Sequence, residues 1–289
     1  MWGQQGYPWR PEYLTILKDR FSAGFQEADF ASDPDTQRDK INAWASEKTR
    51  GKISELISPG VLTRSHLLVL ANAIAFKGFW QNQFDRNATH PDTFTLADGT
   101  QVEVPMMSRK EGFRLHTEFD PKNYSQPRFQ VAELLYRGDE LSMVIILPGK
   151  PDGLPELESK LTLKTLAEWL NSAHEAHGAR ISLPKFRIET SSMMFKGPLQ
   201  KLGMSDAFDA VKADFGGMFS RPTPLFLDFV VQKAVVEVNE EGSEAAAVTA
   251  VSGAKSEAAM NFRADRPFLF LIRDRAHGTI LFMGRYEKP

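Results

Sequence analysis

Two apolar runs near the C-terminus, FVVQKAVVEV at residues 229–238 and PFLFLI at 267–272, are separated by nearly thirty residues. That connector holds no aromatic before Phe262 and no proline before Pro267. A connection so long inside a compact domain is either functional or disordered. Its composition is not that of a common linker, because glycine occurs only at Gly242 and Gly253. Side chains alternate along an extended strand, so Ser243, Ala245, Ala247, Thr249 and Val251 would share one face. None of the five is bulky or charged, so the segment could enter a sheet as an added strand without a clash on that face. A short surface helix is the local alternative, with Ser243 as N-cap and EAAAV as helix-forming material.

The rest of the chain excludes several functions. Its 289 residues are 42% hydrophobic and 25% charged, enough for one large domain or two small ones. A net charge of −2 offers no attraction to nucleic acid or to an anionic membrane, and no apolar run has membrane-spanning length. Cysteine is absent, which removes disulfides, thiol nucleophiles and thiolate metal sites. There is no phosphate-binding glycine loop, no GxSxG and no HExxH. His174 and His177 lack further ligands nearby, and as a pair at a helix end they read as dipole partners. Adjacent Glu240 and Glu241 would point to opposite faces of a strand, which suits a solvated strand end or a salt-bridge anchor better than acid–base work. The expectation is therefore no enzyme, no metal and no cofactor. The N-terminus carries no signal-peptide pattern, while Asn87 and Asn123 head glycosylation sequons that hint at secretion.

Periodicity predicts helices over 11–21, from Ser32-Asp33-Pro34 to Thr49-Arg50-Gly51, and over 155–169. Residues 67–80 read as a strand covered on both faces. Hairpins are predicted at 92–107, turning at Asp98-Gly99, and at 129–148, turning at Gly138-Asp139. Residues 180–189 read as an edge strand because Pro184 cannot donate to a ladder. A long strand at 225–238 and a C-terminal hairpin turning near His277-Gly278 complete an α+β architecture of large mixed or antiparallel sheets with helices packed on them.

Several segments resemble the serpin family, in family order and spacing. EVNEEGSEAAA at 237–247, with Thr249, resembles the hinge of its reactive-centre loop. FRADRPFLFL at 262–271 resembles the segment after that loop, and LFMG at 281–284 the last strand. INAWASEKTRGKI at 41–53 resembles the helix lying across the main sheet; NAIAFKGFW at 72–80 resembles the central strand that ends in the tryptophan of the breach, the upper opening of that sheet. VPMM at 104–107 and LPKF at 183–186 are further family tetrapeptides.

The resemblance implies one serpin-like domain over 1–289, with a large central sheet, further sheets and packed helices, and a reactive-centre loop at about 240–262. Because Met1–Gln4 aligns with the strand that follows the family's first helices, those helices are expected to be absent and the apolar face of the C-terminal hairpin exposed. The implied function is suicide inhibition of a trypsin-like or elastase-like serine protease. The hinge would be Glu240, Gly242, Ser243, Glu244, Ala245, Ala246, Ala247, Val248 and Thr249. The scissile bond would lie at Ser256–Glu257, or at Lys255–Ser256 for a trypsin-like target. Trp80 would mark the breach, and Asn72 with Gln232 the shutter, where many serpins carry histidine in place of Gln232. A monomeric, extracellular protein without nucleic-acid or membrane partners is expected. The other class of function is a non-inhibitory carrier or an inactive truncated form.

Overall fold

The computed structural model describes residues 1–21, 24–121, 123–242 and 261–289, apart from the side chains of 123–125. They form two compact units, Met1–Phe76 with Ile188–Val236, and Lys77–Arg187 with Glu237–Pro289. In chain order the first holds β1 (Trp2–Gln4), α1 (Pro11–Phe21), β2 (Gln26–Ala28), α2 (Pro34–Lys48) and β3 (Leu68–Phe76). The second begins with β4 (His90–Thr95), β5 (Gln101–Lys110), β6 (Arg114–Asp120), β7 (Asn123–Leu135) and β8 (Leu141–Pro148). It continues through α3 (Leu154–Lys160), α4 (Leu163–Asn171), β9 (His174–Glu175) and β10 (Arg180–Pro184). The chain crosses back within β11 (Phe186–Glu189) to β12 (Met193–Met194), α5 (Lys196–Lys201) and β13 (Phe229–Val238). After the long connector come β14 (Phe262–Arg263), β15 (Phe268–Asp274) and β16 (Ile280–Tyr286).

In the first sheet the strand order is β11-β13-β3-β1-β2, with β12 also on β13. Strands β3 and β13 are parallel neighbours, in register from Phe229 opposite Val69 to Val236 opposite Phe76. Helix α2 covers one face of this sheet. The Asp33 carboxylate caps it by accepting from the Thr36 amide at 3.1 Å, and Pro34 fills the first turn. Its buried Ile41 and Ala45 pack with Ile53, Leu56 and Ile57 against Val69, Val231 and Val235. The helix stops at Arg50 and Gly51, both in the left-handed region, where the Gly51 amide closes on the Ser46 carbonyl at 2.7 Å.

The second unit has a six-stranded antiparallel sheet, β16-β15-β8-β7-β6-β9, and a four-stranded one, β14-β10-β5-β4. Helices α3 and α4 bury Leu154, Leu157, Leu166 and Leu170 on Phe129, Val131, Val144 and Ile146. Strand β8 is buried almost end to end, as a strand covered on both faces must be. In that interior Glu133 is compensated by Arg114 Nη1 at 2.7 Å and by the Ser142 hydroxyl at 2.9 Å.

Several expectations need correction. Strand β3 ends at Phe76, and beyond Val69 its residues are at most half-buried, with Asn72 exposed, so it is not covered on both faces. The predicted helix over 155–169 is two helices, because Thr162 caps a new one by accepting from the Thr165 amide at 3.1 Å. The predicted edge strand divides at Lys185: β10 lies inside its sheet, between β14 and β5, and Pro184 is its last paired residue, so the missing donor costs nothing within the ladder. The expected exposure of the C-terminal hairpin is confined to β16, where Leu281 and Met283 are 48% and 55% exposed, while Phe268 to Ile272 of β15 are buried.

Candidate functional site

The long connector leaves β13 through a four-residue turn, Asn239 to Gly242. Asn at the first position and Gly at the last is a β-turn signature, and the chain does reverse there: Asn239 and Gly242 form an antiparallel bridge, with the Gly242 amide 3.2 Å from the Asn239 carbonyl. Gly242 has φ +98°, and a Cβ at that position would lie 2.3 Å from the Gly78 carbonyl oxygen and 2.6 Å from the Trp80 nitrogen. Both the left-handed backbone and the close approach therefore demand glycine.

Three successive carbonyls of this turn are held by one short segment of chain. Trp80 donates through its indole Nε1 to Asn239 O at 2.9 Å and through its amide to Glu241 O at 2.9 Å. The Phe84 amide donates to Glu240 O at 2.8 Å. Trp80 is fully buried, stacked on Tyr136 with ring centroids 4.5 Å apart and planes 11° from parallel. Complete burial pushes the Tyr136 hydroxyl well above its ordinary pKa.

The two glutamates are not solvated, as one sequence reading had it; they are 5% and 6% exposed and serve as anchors on different partners. Glu240 accepts from the Thr89 hydroxyl at 2.8 Å and pairs with Lys185 Nζ at 3.0 Å. Burial pushes its carboxyl up, but the bonds from Lys185 and Thr89 outweigh that and hold it below its ordinary value. Glu241 pairs with Arg86. Thr89, Lys185, Arg86, Phe84 and Asn239 were not foreseen as site residues. Lys185 sits within the LPKF tetrapeptide and Asn239 heads the N-E-E-G turn, so those two carried a local signal, whereas the others carried none.

The far end of the connector is fastened as well. Asn261 Oδ1 accepts from the Arg180 amide at 2.9 Å, and β14 runs parallel to β10 with Phe262 opposite Ile181. Arg263 pairs with Asp92 at 2.7 Å.

Of the expected site residues, Ser243, Glu244, Ala245, Ala246, Ala247, Val248, Thr249, Lys255, Ser256 and Glu257 lie outside the described residues. Trp80, Glu240 and Gly242 come together. Asn72 and Gln232 face each other in the β3–β13 register, apart from that group in the sequence. Asn87 is exposed in a short 3-10 turn, and the Asn123 side chain is not described. His174 and His177 stand exposed on β9 and just after it, rather than on a helix end. Among the described residues no group of three or more acidic or histidine side chains could hold a metal, and no helix is long and apolar enough to cross a membrane.

An α+β protein whose long connector is clamped at both ends is the class this geometry defines. Residues 1–289 match the serpin family, described as serine protease inhibitors. The chain is 40% identical over 300 residues to the leukocyte elastase inhibitor of Bos taurus, covering 100% of this chain and 76% of that protein. It is similar to uncleaved ovalbumin, with a TM-score of 0.85 and 29% identity over 100% of this chain and 72% of that one. Native protease nexin-1 with heparin gives a TM-score of 0.84 and 32% identity, over 100% and 75%. This chain belongs to the serpin family, and serine protease inhibition is the function that goes with it.

Proposed function

We propose that residues 240–262 are the reactive-centre loop of a single-use serine protease inhibitor, with Glu240, Gly242 and Ser243 to Thr249 as its hinge and the turn at Asn239–Gly242 as the base on which that hinge pivots. The observation that carries this reading is the reversal at Gly242. A segment that continued from that reversal would run antiparallel to β13. Because β3 is parallel to β13, the same segment would run antiparallel to β3 too. Insertion between them would replace one parallel ladder by two antiparallel ones, a stronger pairing per residue. That gain, withheld until the loop is cut, is the driving force of a kinetically trapped inhibitor. About fourteen inserted residues at about 3.3 Å each would carry a tethered protease on the order of 45 Å.

Counting forward from Glu240 and back from Pro267, as the family resemblance implies, makes Ser256–Glu257 the first candidate for the scissile bond. Lys255–Ser256 is the competing site, because a lysine suits the buried carboxylate of a trypsin-like pocket. The name of the Bos taurus relative makes an elastase-like protease the first target to try. Secretion and glycosylation form no part of this reading, since neither the family description nor the relatives' names carry them.

The test is to mix the chain with elastase-like and trypsin-like serine proteases and run denaturing gels. A covalent complex is expected; a chain that is merely clipped would overturn the proposal. Mass spectrometry of the released C-terminal peptide decides between the two bonds. Thr249→Arg should convert the inhibitor to a substrate, and undiminished complex formation by that variant would rule out insertion.

A further inference from the structure

We propose that Arg109 is a positioning residue for the hinge, acting through the ring of Phe84; the role of the hinge rests on the reading above. Arg109 lies on β5 and is only 8% exposed. Among the described residues no carboxylate pairs with it. Its guanidinium is spent on two carbonyls of the following turn, with Nη1 on Glu111 O at 2.7 Å and Nη2 on Gly112 O at 2.9 Å, while Nε is buried without a partner. Its Cζ lies over the Phe84 ring, 5.0 Å from the centroid. Burial lowers its pKa to about 10, so the fold sustains an unfavourable charge at this point.

The turn is built to keep the guanidinium there. Gly112 has φ +69°, and a Cβ on it would lie 2.5 Å from Arg109 Nη1 and 2.8 Å from the Asn82 side chain. The cation and the ring attract through the ring quadrupole, an interaction that strengthens when both are desolvated. Phe84 itself is buried, packs edge-on to Trp80 with centroids 6.3 Å apart, and donates its amide to the Glu240 carbonyl. Arg109 therefore fixes the ring whose backbone holds the middle carbonyl of the Asn239–Gly242 turn. Its role is to set how readily that carbonyl is released.

Native-state hydrogen exchange on the full chain tests this without a protease. In Arg109→Met the amide of residue 84 should exchange about thirtyfold faster, the factor expected for loss of a buried cation–π contact. Amides of β7 and β8 should be unchanged. Arg109→Lys should recover only part of the protection, because an ammonium cannot both lie flat on the ring and bridge two carbonyls. Equal acceleration of all amides, no acceleration at residue 84, or full recovery by lysine would each overturn the proposal. If Arg109→Met does not fold, Phe84→Leu must show the same acceleration at residue 84 in the folded protein, and an unchanged rate there overturns it. Failure of the parent chain to form a covalent protease complex would count against inhibition, and the exchange data would still decide the role of Arg109.

Discussion

The indole of Trp80 hydrogen-bonds the carbonyl of Asn239, 159 residues further along, while the amide of the same tryptophan holds the carbonyl of Glu241. One buried residue thus grips the turn at two points. Trp80→Phe keeps an aromatic ring against Tyr136 and removes the side-chain donor. It should cost about 0.5–1.5 kcal/mol, the net worth of one hydrogen bond, because the Asn239 carbonyl keeps the Gly242 amide as a partner. The unfolding rate in denaturant measures this, and a rate equal to the parent's would show that the indole bond contributes nothing.

Glu240 gives a pH signature. Its folded pKa is depressed below the ordinary 4.5, so its contribution is fully present above that value and is lost as the pH falls through the lower, folded value. Glu240→Gln should therefore be destabilised at pH 7, by about 1–2 kcal/mol because Lys185 is partly exposed. The gap between variant and parent should narrow as the pH falls below 4.5 and close once it has passed the lower, folded value. Denaturant titrations of both proteins at several pH values check it; a gap independent of pH would show that the ion pair is not its source.

Gly242→Ala should be more damaging than the size of a methyl group suggests. The added carbon meets main-chain atoms of Gly78, Phe79 and Trp80, none of which can swing aside as a flexible side chain does. Left-handed strain adds about 1 kcal/mol or more. The expected outcome is a lower thermal midpoint together with faster exchange of the Trp80 amide. An unaltered Trp80 amide would mean that the turn tolerates a Cβ.

Away from the hinge, Glu133 sits in the interior between Arg114 and Ser142. Glu133→Ala leaves the guanidinium without its anion and should cost about 3–5 kcal/mol. Glu133→Gln, which can still accept, should cost less. Denaturant unfolding ranks the two, and equal losses would show that a neutral acceptor at 133 recovers nothing and the charge alone carries the effect.

Much of the fold was legible locally. The hairpins around Gly99 and Gly138, the stop of α2 at Gly51 and the end of β13 at Val238 follow from turn residues and apolar period, whereas β13 starts at Phe229, four residues later than expected. Strand β6 was missed because RLHTEFD is half-buried throughout and shows no clean alternation. The break between α3 and α4 was missed because the leucine spacing runs straight through it, while the cap at Thr162 depends on one side-chain bond. The candidate site was half visible: tryptophan, glycine and glutamate stand out, but the groups that hold them do not.

The amino-acid sequence by itself determined where the chain must turn and which segment could be freed. Glycine and asparagine restrict backbone angles one residue at a time, and a run of small side chains is small in any setting. Only the tertiary structure decided that Glu240 finds Thr89 and Lys185, that Glu241 finds Arg86, and that Trp80 bonds the carbonyls of Asn239 and Glu241. Those bonds join positions far apart in the chain, and which donor meets which acceptor is settled by strand register and packing, quantities that exist only once the whole chain has folded.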